Sequence, residues 1–130
     1  MPSVLVRCRR PFKPFFVNAL AEELPRIVAK ALTCENPEGH LDPEGVEVEI
    51  EILPEGIRTP FDLHIIVDAN DYPERKANLR DRWEMIRSGV AIFWGGRLYS
   101  RPAAFVWVRL FPAQFGDVWP SSPRDGNKVS

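Results

Sequence analysis

The most regular alternation of apolar and polar positions lies at Val46-Glu47-Val48-Glu49-Ile50-Glu51-Ile52. Successive side chains of a strand point to opposite faces, so this segment sets four aliphatic residues on one face and three glutamates on the other. Ser3 to Cys8, rich in β-branched residues and stopped by Arg9-Arg10-Pro11, predicts an earlier strand. Phe61 to Val67 is largely apolar on both faces, the pattern of a strand inside a sheet, and Ala103 to Phe111 predicts the last strand. A helical period appears twice. Val17, Leu20, Leu24, Ile27, Val28, Ala31 and Leu32 step by three and four residues along one buried face. Pro25 would remove a hydrogen bond inside a continuous helix but suits a first turn, so the firm helix is predicted from about Leu24 to Thr33, with a looser turn or short helix before it. Asp71 and Glu74, with Pro73 in the first turn, predict a capping box that opens the second helix. Its stripe is Leu79, Trp83, Ile86, Val90 and Phe93, and Gly95-Gly96 ends it.

The order is strand, helix, strand, twice over. Right-handed crossovers make the strands of each unit parallel, which predicts an α+β sandwich of two β-α-β units: a four-stranded sheet with two helices on one face. Residues 1–119 form the single domain of this scheme, joined to a flexible Pro-, Gly- and Ser-rich tail at 120–130. Glu35 to Gly45, full of turn residues, is a surface loop. The last strand alternates Phe105, Trp107, Arg109 and Phe111 with Ala104, Val106, Val108 and Leu110, so neither of its faces suits plain water. Oligomerisation is the simplest cover for the face without helices. Phe115, Val118 and Trp119 offer a way to dock the end of the chain on a neighbour.

Composition narrows the functional classes. One hundred and thirty residues, 45% of them apolar, suffice for one domain with a core. Seventeen basic against 18 acidic residues leave a net charge of −1, so no overall positive field draws the chain to nucleic acid or anionic lipid. The longest apolar stretches, Val90 to Trp94 and Ala103 to Val108, fall far short of the ~20 residues of a membrane span. Charge arrives at Arg7, before any signal-peptide core can form. Cys8 and Cys34 have neither the number nor the spacing of a disulfide framework or zinc site, and read as free thiols in a reducing cytoplasm, Cys8 buried in its strand. His40 in a loop and His64 in a strand lack a nearby ligand set, so no metal is expected. His64 reads first as a satisfied core or interface histidine and second as a catalytic one. Phosphate-loop, dinucleotide, zinc-protease and nucleophile-elbow motifs are absent, and no cofactor is expected.

Met1-Pro2 leading straight into a strand carries chemical meaning. A small second residue permits removal of the initiator, which would expose a secondary amine at Pro2. An α-amino group has a pKa of about 7.7 to 8.0, and an apolar or cationic pocket lowers it, giving a neutral base at physiological pH.

The sequence from Met1-Pro2-Ser3-Val4-Leu5-Val6-Arg7-Cys8, through Leu24-Pro25-Arg26-Ile27-Val28-Ala29-Lys30 and Leu63-His64, to Leu110-Phe111-Pro112, resembles the tautomerase superfamily, and most of all 5-carboxymethyl-2-hydroxymuconate isomerase. Val106-Trp107-Val108-Arg109 followed by Gly116-Asp117-Val118-Trp119 is similar to the final strand and turn of macrophage migration inhibitory factor. The resemblance implies a homotrimer in which Pro2, as base and then acid, moves a proton on a small carboxylate-bearing enol or α-keto acid. It further implies that Trp107 lines the pocket, that Arg109 binds the substrate carboxylate, and that Arg10 assists from just past the first strand. Arg109 also reads as one half of an inter-subunit ion pair, a second-strand glutamate being a candidate partner, and Trp107 as plain packing. The chain departs from the family's pattern in Glu47 and Glu49, where relatives carry arginines, and in Tyr72 near the place of another arginine, with Arg75 a turn later. The segment from Arg9 to Glu23 is longer than the family's. Two alternatives stay open: a hydratase or dehalogenase of the same superfamily, with Glu47, Glu49 or Asp68 activating water, and a non-enzymatic oligomeric interaction module.

Overall fold

The structure, a computed structural model, describes residues 2–95, 102–112 and 118. The elements in chain order are β1 (Ser3–Cys8), α1 (Pro14–Leu32), β2 (Glu47–Ile52), β3 (Leu63–Asn70), α2 (Pro73–Ala77), α3 (Leu79–Gly95) and β4 (Ala104–Phe111). Two single-turn 3-10 segments, Pro37–Gly39 and Pro43–Gly45, punctuate the expected loop. The sheet runs β2-β1-β3-β4, with β1 parallel to β2, β3 parallel to β4, and the two units joined by the antiparallel β1-β3 pair. This is the expected doubled unit.

Alternation decides the layers. Val4, Val6 and Cys8 of β1 and Leu63, Ile65, Val67 and Ala69 of β3 are buried under the helices, while the residues between them face the open side. As expected, β3 lies inside the sheet. The edge strand β2 is covered less well: Val48 and Ile50 are partly buried, whereas Ile52 is exposed, because the helix layer does not reach that corner.

Two expectations for the helices are corrected. Helix α1 is continuous from Pro14, with Pro25 inside it and Pro14 in its first turn. Phe16, Leu20, Leu24, Val28 and Leu32 recur every fourth residue, all essentially buried. An interior proline costs about 3 kcal/mol, whereas burying Phe16 and Leu20, which a helix beginning at Leu24 would leave out, contributes about 4 kcal/mol. The second helix breaks at Asn78 (φ −134°, ψ 38°), whose carbonyl accepts the Arg82 N–H at 3.1 Å and whose Oδ1 accepts Arg82 Nε at 2.6 Å. The capping box does not form. Tyr72 is the N-cap, Asp71 pairs with Lys76 (3.0 Å), and the Glu74 carboxylate reaches across to accept the backbone N–H groups of Glu35 (3.0 Å) and Asn36 (3.1 Å). Gly96, the tail at 120–130, and Phe115 and Trp119 lie outside the described residues; Val118 is exposed. Among the described residues no helix is long and apolar enough to cross a membrane.

Candidate functional site

Pro2 is buried at the head of β1. Its carbonyl accepts the Glu47 N–H at 3.3 Å, which ties this end of β1 to β2. Ser3 stands opposite Glu47 on one side and Asp68 on the other, so one further step of the register sets Pro2 beside Val46 and Ala69, both buried. By alternation Pro2 shares the side of Val4 and Val6. A cleft of about 390 Å³ begins at the next residue and is lined by Ser3, Val4, Leu5, Glu47, Val48 and Glu49. Met1 lies outside the described residues.

The register writes the open face as rows across the sheet. Glu51, Arg7, His64 and Phe105 form one; Glu49, Leu5, Ile66 and Trp107 the next; Glu47, Ser3, Asp68 and Arg109 the row at the Pro2 end. In that last row the Arg109 guanidinium grips Asp68 with both Nε (2.7 Å) and Nη2 (2.8 Å), and lies over the rings of Trp107 (5.6 Å) and Phe111 (5.4 Å). Its hydrogen bond to Asp68 pushes the Arg109 pKa up, so the cation is permanent. The carboxylate that holds Arg109 is thus on the adjacent strand of the same chain. The side chains of Glu47 and Glu49 make no hydrogen bond or ion pair among the described residues, whereas Glu51 pairs with Arg7 at 3.1 Å. Phe105, Trp107 and Phe111 are 40, 52 and 44% exposed, which leaves a broad aromatic surface on the uncovered face.

The expected site residues converge only partly. Pro2 and Arg109 share one end of the sheet, but two strand spacings, about 10 Å, separate Ser3 from Arg109, and the guanidinium is turned to Asp68. Arg10 sits past the opposite end of β1, about 20 Å from Pro2 along the strand, exposed and 5.9 Å over Phe12. Within one chain it has no access to Pro2. His64 donates to or accepts from Thr59 Oγ1 at 2.8 Å and packs edge-on against Phe61, as a satisfied histidine does. Both cysteines are buried and free, and burial pushes the Cys8 thiol pKa up. Among the described residues no three His, Cys, Asp or Glu side chains gather as metal ligands.

The sequence reasoning named Arg75 only as standing a turn past the place of a family arginine, missing its buried role, and did not single out Arg82. Arg75 is 2% exposed and donates from Nε to Leu32 O (2.9 Å), from Nη1 to Asn70 O (3.1 Å) and from Nη2 to Gly39 O (3.5 Å), with Tyr72 stacked at 5.0 Å. Arg82, 8% exposed, donates from Nη1 to Ala31 O (3.1 Å) and Thr33 O (2.8 Å). Together they satisfy the last carbonyls of α1 and place two cations at its negative end. Desolvation pulls the Arg75 pKa down, yet a guanidinium stays charged. The signal was present: Arg75, Leu79, Arg82, Ile86, Val90 and Phe93 follow one helical stripe, and charges at apolar positions mark buried, partnered groups.

Comparison with known proteins gives the fold a context. No protein-family model and no curated protein sequence matches the chain. Solved structures do. Malonate semialdehyde decarboxylase, described as wild type, inactivated and with its first residue, a proline, changed to alanine, superposes with a TM-score of 0.61 at 8% identity over 98% of both chains. The fused 4-OT F6, an asymmetric trimer, gives 0.58 at 15% identity over 95% of this chain and 97% of its own. Pt0534 inactivated by 2-oxo-3-pentynoate gives 0.57 at 18% over 85% and 86%. The fold is that of the tautomerase superfamily. At these identities the tautomerase likeness holds for the architecture, and the chemistry has to be argued from this chain's own residues.

Proposed function

We propose that the chain is a tautomerase-type isomerase acting on a small carboxylate-bearing enol or α-keto acid, with Pro2 as the proton carrier. The observation that carries this is the burial of Pro2 at the head of β1, at the sheet end that also holds Arg109. With the initiator removed, the Pro2 nitrogen accepts the enol hydroxyl proton and returns it to the adjacent carbon, giving the keto product and regenerating the free amine. Asp68 uses two of the five N–H donors of Arg109, and the remaining three are available to a substrate carboxylate and to charge developing on oxygen. Because Arg109 does not reach Pro2 within one chain, it is supplied with Trp107 by a neighbouring copy. A homotrimer fits this need, covers the aromatic face, and matches the assembly of the fused 4-OT F6. The α-keto acid class agrees with the inactivation of Pt0534 by 2-oxo-3-pentynoate.

The test is Pro2→Ala assayed with phenylenolpyruvate, alongside the intact mass of the purified protein. We expect a mass lacking Met1 and a loss of proton transfer of about 10² to 10⁴-fold. An active protein that keeps Met1, or a variant with undiminished rate, would overturn the mechanism.

The side chains of Glu47 and Glu49, unpaired among the described residues and lining the cleft next to Pro2, favour one second scheme, a hydratase in which one of them takes a proton from water. It requires consumption of an unsaturated acid in water without a tautomeric product, and its loss in Glu47→Gln or Glu49→Gln.

A further inference from the structure

A second cleft, of about 380 Å³, lies at the outer edge of β4 and is lined by Leu79, Arg80, Trp83, Val106, Trp107 and Val108. Its size is that of a small-molecule pocket. Trp83 comes to the edge strand from the helix side and donates its indole N–H to Val106 O at 2.9 Å, which fixes the ring. Trp107 flanks the cleft from the open face, and the buried Val108 forms the floor. Since Val106 O points away from β3, the alternation of a parallel ladder turns the Val108 N–H outward as well. The remaining polar group is the exposed guanidinium of Arg80. Glu84, the carboxylate within its electrostatic reach, has both oxygens engaged by Arg87. Among the described residues Arg80 makes no hydrogen bond or ion pair, and it can meet an anion.

We infer that this cleft binds a small aromatic carboxylate, its ring against Trp83 and Trp107 and its carboxylate on Arg80. A fixed Trp83 indole and the half-exposed Trp107 ring beside an aliphatic floor suit a flat ring, and a single cation at the rim suits one negative charge rather than two. Trp107 is shared with the site proposed for the Pro2 of a neighbouring copy, but the inference needs neither the Pro2 amine nor the reaction proposed for it.

Indole N–H signals read the binding directly, because the chain has four tryptophans and Trp94, 5% exposed in the core, serves as an internal reference. Titration of the full chain with phenylacetate should move the Trp83 and Trp107 signals saturably and leave Trp94 in place. Phenylacetamide, the neutral isostere, should bind about fivefold more weakly, and Arg80→Gln should erase the preference for the acid, an effect of the size expected for one partly exposed ion pair. Because Arg80 is exposed, the variant should keep the native fold, which the unmoved Trp94 signal checks. Absence of saturable shifts, or an acid preference that survives Arg80→Gln, would overturn the inference. So would shifts that vanish in Pro2→Ala, since they would put the ligand at Pro2. Failure of the Pro2 mechanism, by contrast, leaves these outcomes unchanged.

Discussion

At the end of α1, Arg75 and Arg82 are enclosed, and their donors are consumed by fixed backbone carbonyls. On the open face Arg109 is 39% exposed at its side chain, holds a single carboxylate with two of its donors, and has aromatic rings around it. The same side chain thus serves as an internal strut in one place and as an available cation in the other. What separates the two is the supply of acceptors. A buried guanidinium without a full set would be too costly to keep, whereas an exposed one can hold donors in reserve.

The largest expected effect lies at the strut. Arg75→Met removes the guanidinium donors of the Leu32, Asn70 and Gly39 carbonyls, of which Gly39 keeps the Cys34 N–H, and should destabilise the fold by about 3 kcal/mol, seen as a lower urea midpoint at unchanged slope. Arg75→Lys, with one point charge in place of a planar fork, should recover less than half of that. Arg109→Gln should reverse the pattern. Its pair with Asp68 is partly exposed, so unfolding should shift by less than about 1 kcal/mol while turnover of a carboxylate substrate falls at least tenfold. A variant that loses stability and keeps turnover would make Arg109 a strut like the others.

The smallest effect concerns pH. The N–H groups of Glu35 and Asn36 hold the Glu74 carboxyl below its ordinary range. Its folded pKa is depressed, so its contribution is present above the unfolded value of about 4.3 and is lost as pH falls through the folded one. Glu74→Gln should remove that contribution at neutral pH and so flatten the acid limb of the stability curve, the variant and the parent converging below the folded value. An unchanged acid limb would remove Glu74 from the packing around the α1 terminus.

How much of this was legible depends on the range of the physics involved. The doubled strand-helix-strand order, the interior place of β3 and the bare aromatic face of β4 follow from periodicity, which is local, and all are present. Pro25 misled because its penalty is local while the burial of Phe16 and Leu20 that outweighs it is tertiary. The capping box failed for the same reason: Glu74 found donors in the loop after α1 instead of at its own helix start. The Asp68 partner of Arg109 depends on register, because only pairing Asp68 with Arg109 across β3 and β4 reveals that the two meet. The candidate site is the least legible part, since Pro2 and Arg109 share a sheet end without touching, Trp107 lies against Arg109 one row further along, and Arg10 stands at the other end.

The antiparallel β1-β3 seam relates the two β-α-β halves by an approximate half-turn, so the sheet has two equivalent corners. One corner is the head of β1. The other, at the head of β3, is interior to the polypeptide, and its nitrogen is locked in an amide that cannot carry a proton. Severing the connection between residues 53 and 62 would convert that corner into a second chain start. Split halves that reassemble would then present two candidate amines per sheet, a direct measure of how far the duplicated scaffold, apart from its one privileged terminus, is built to receive such a group.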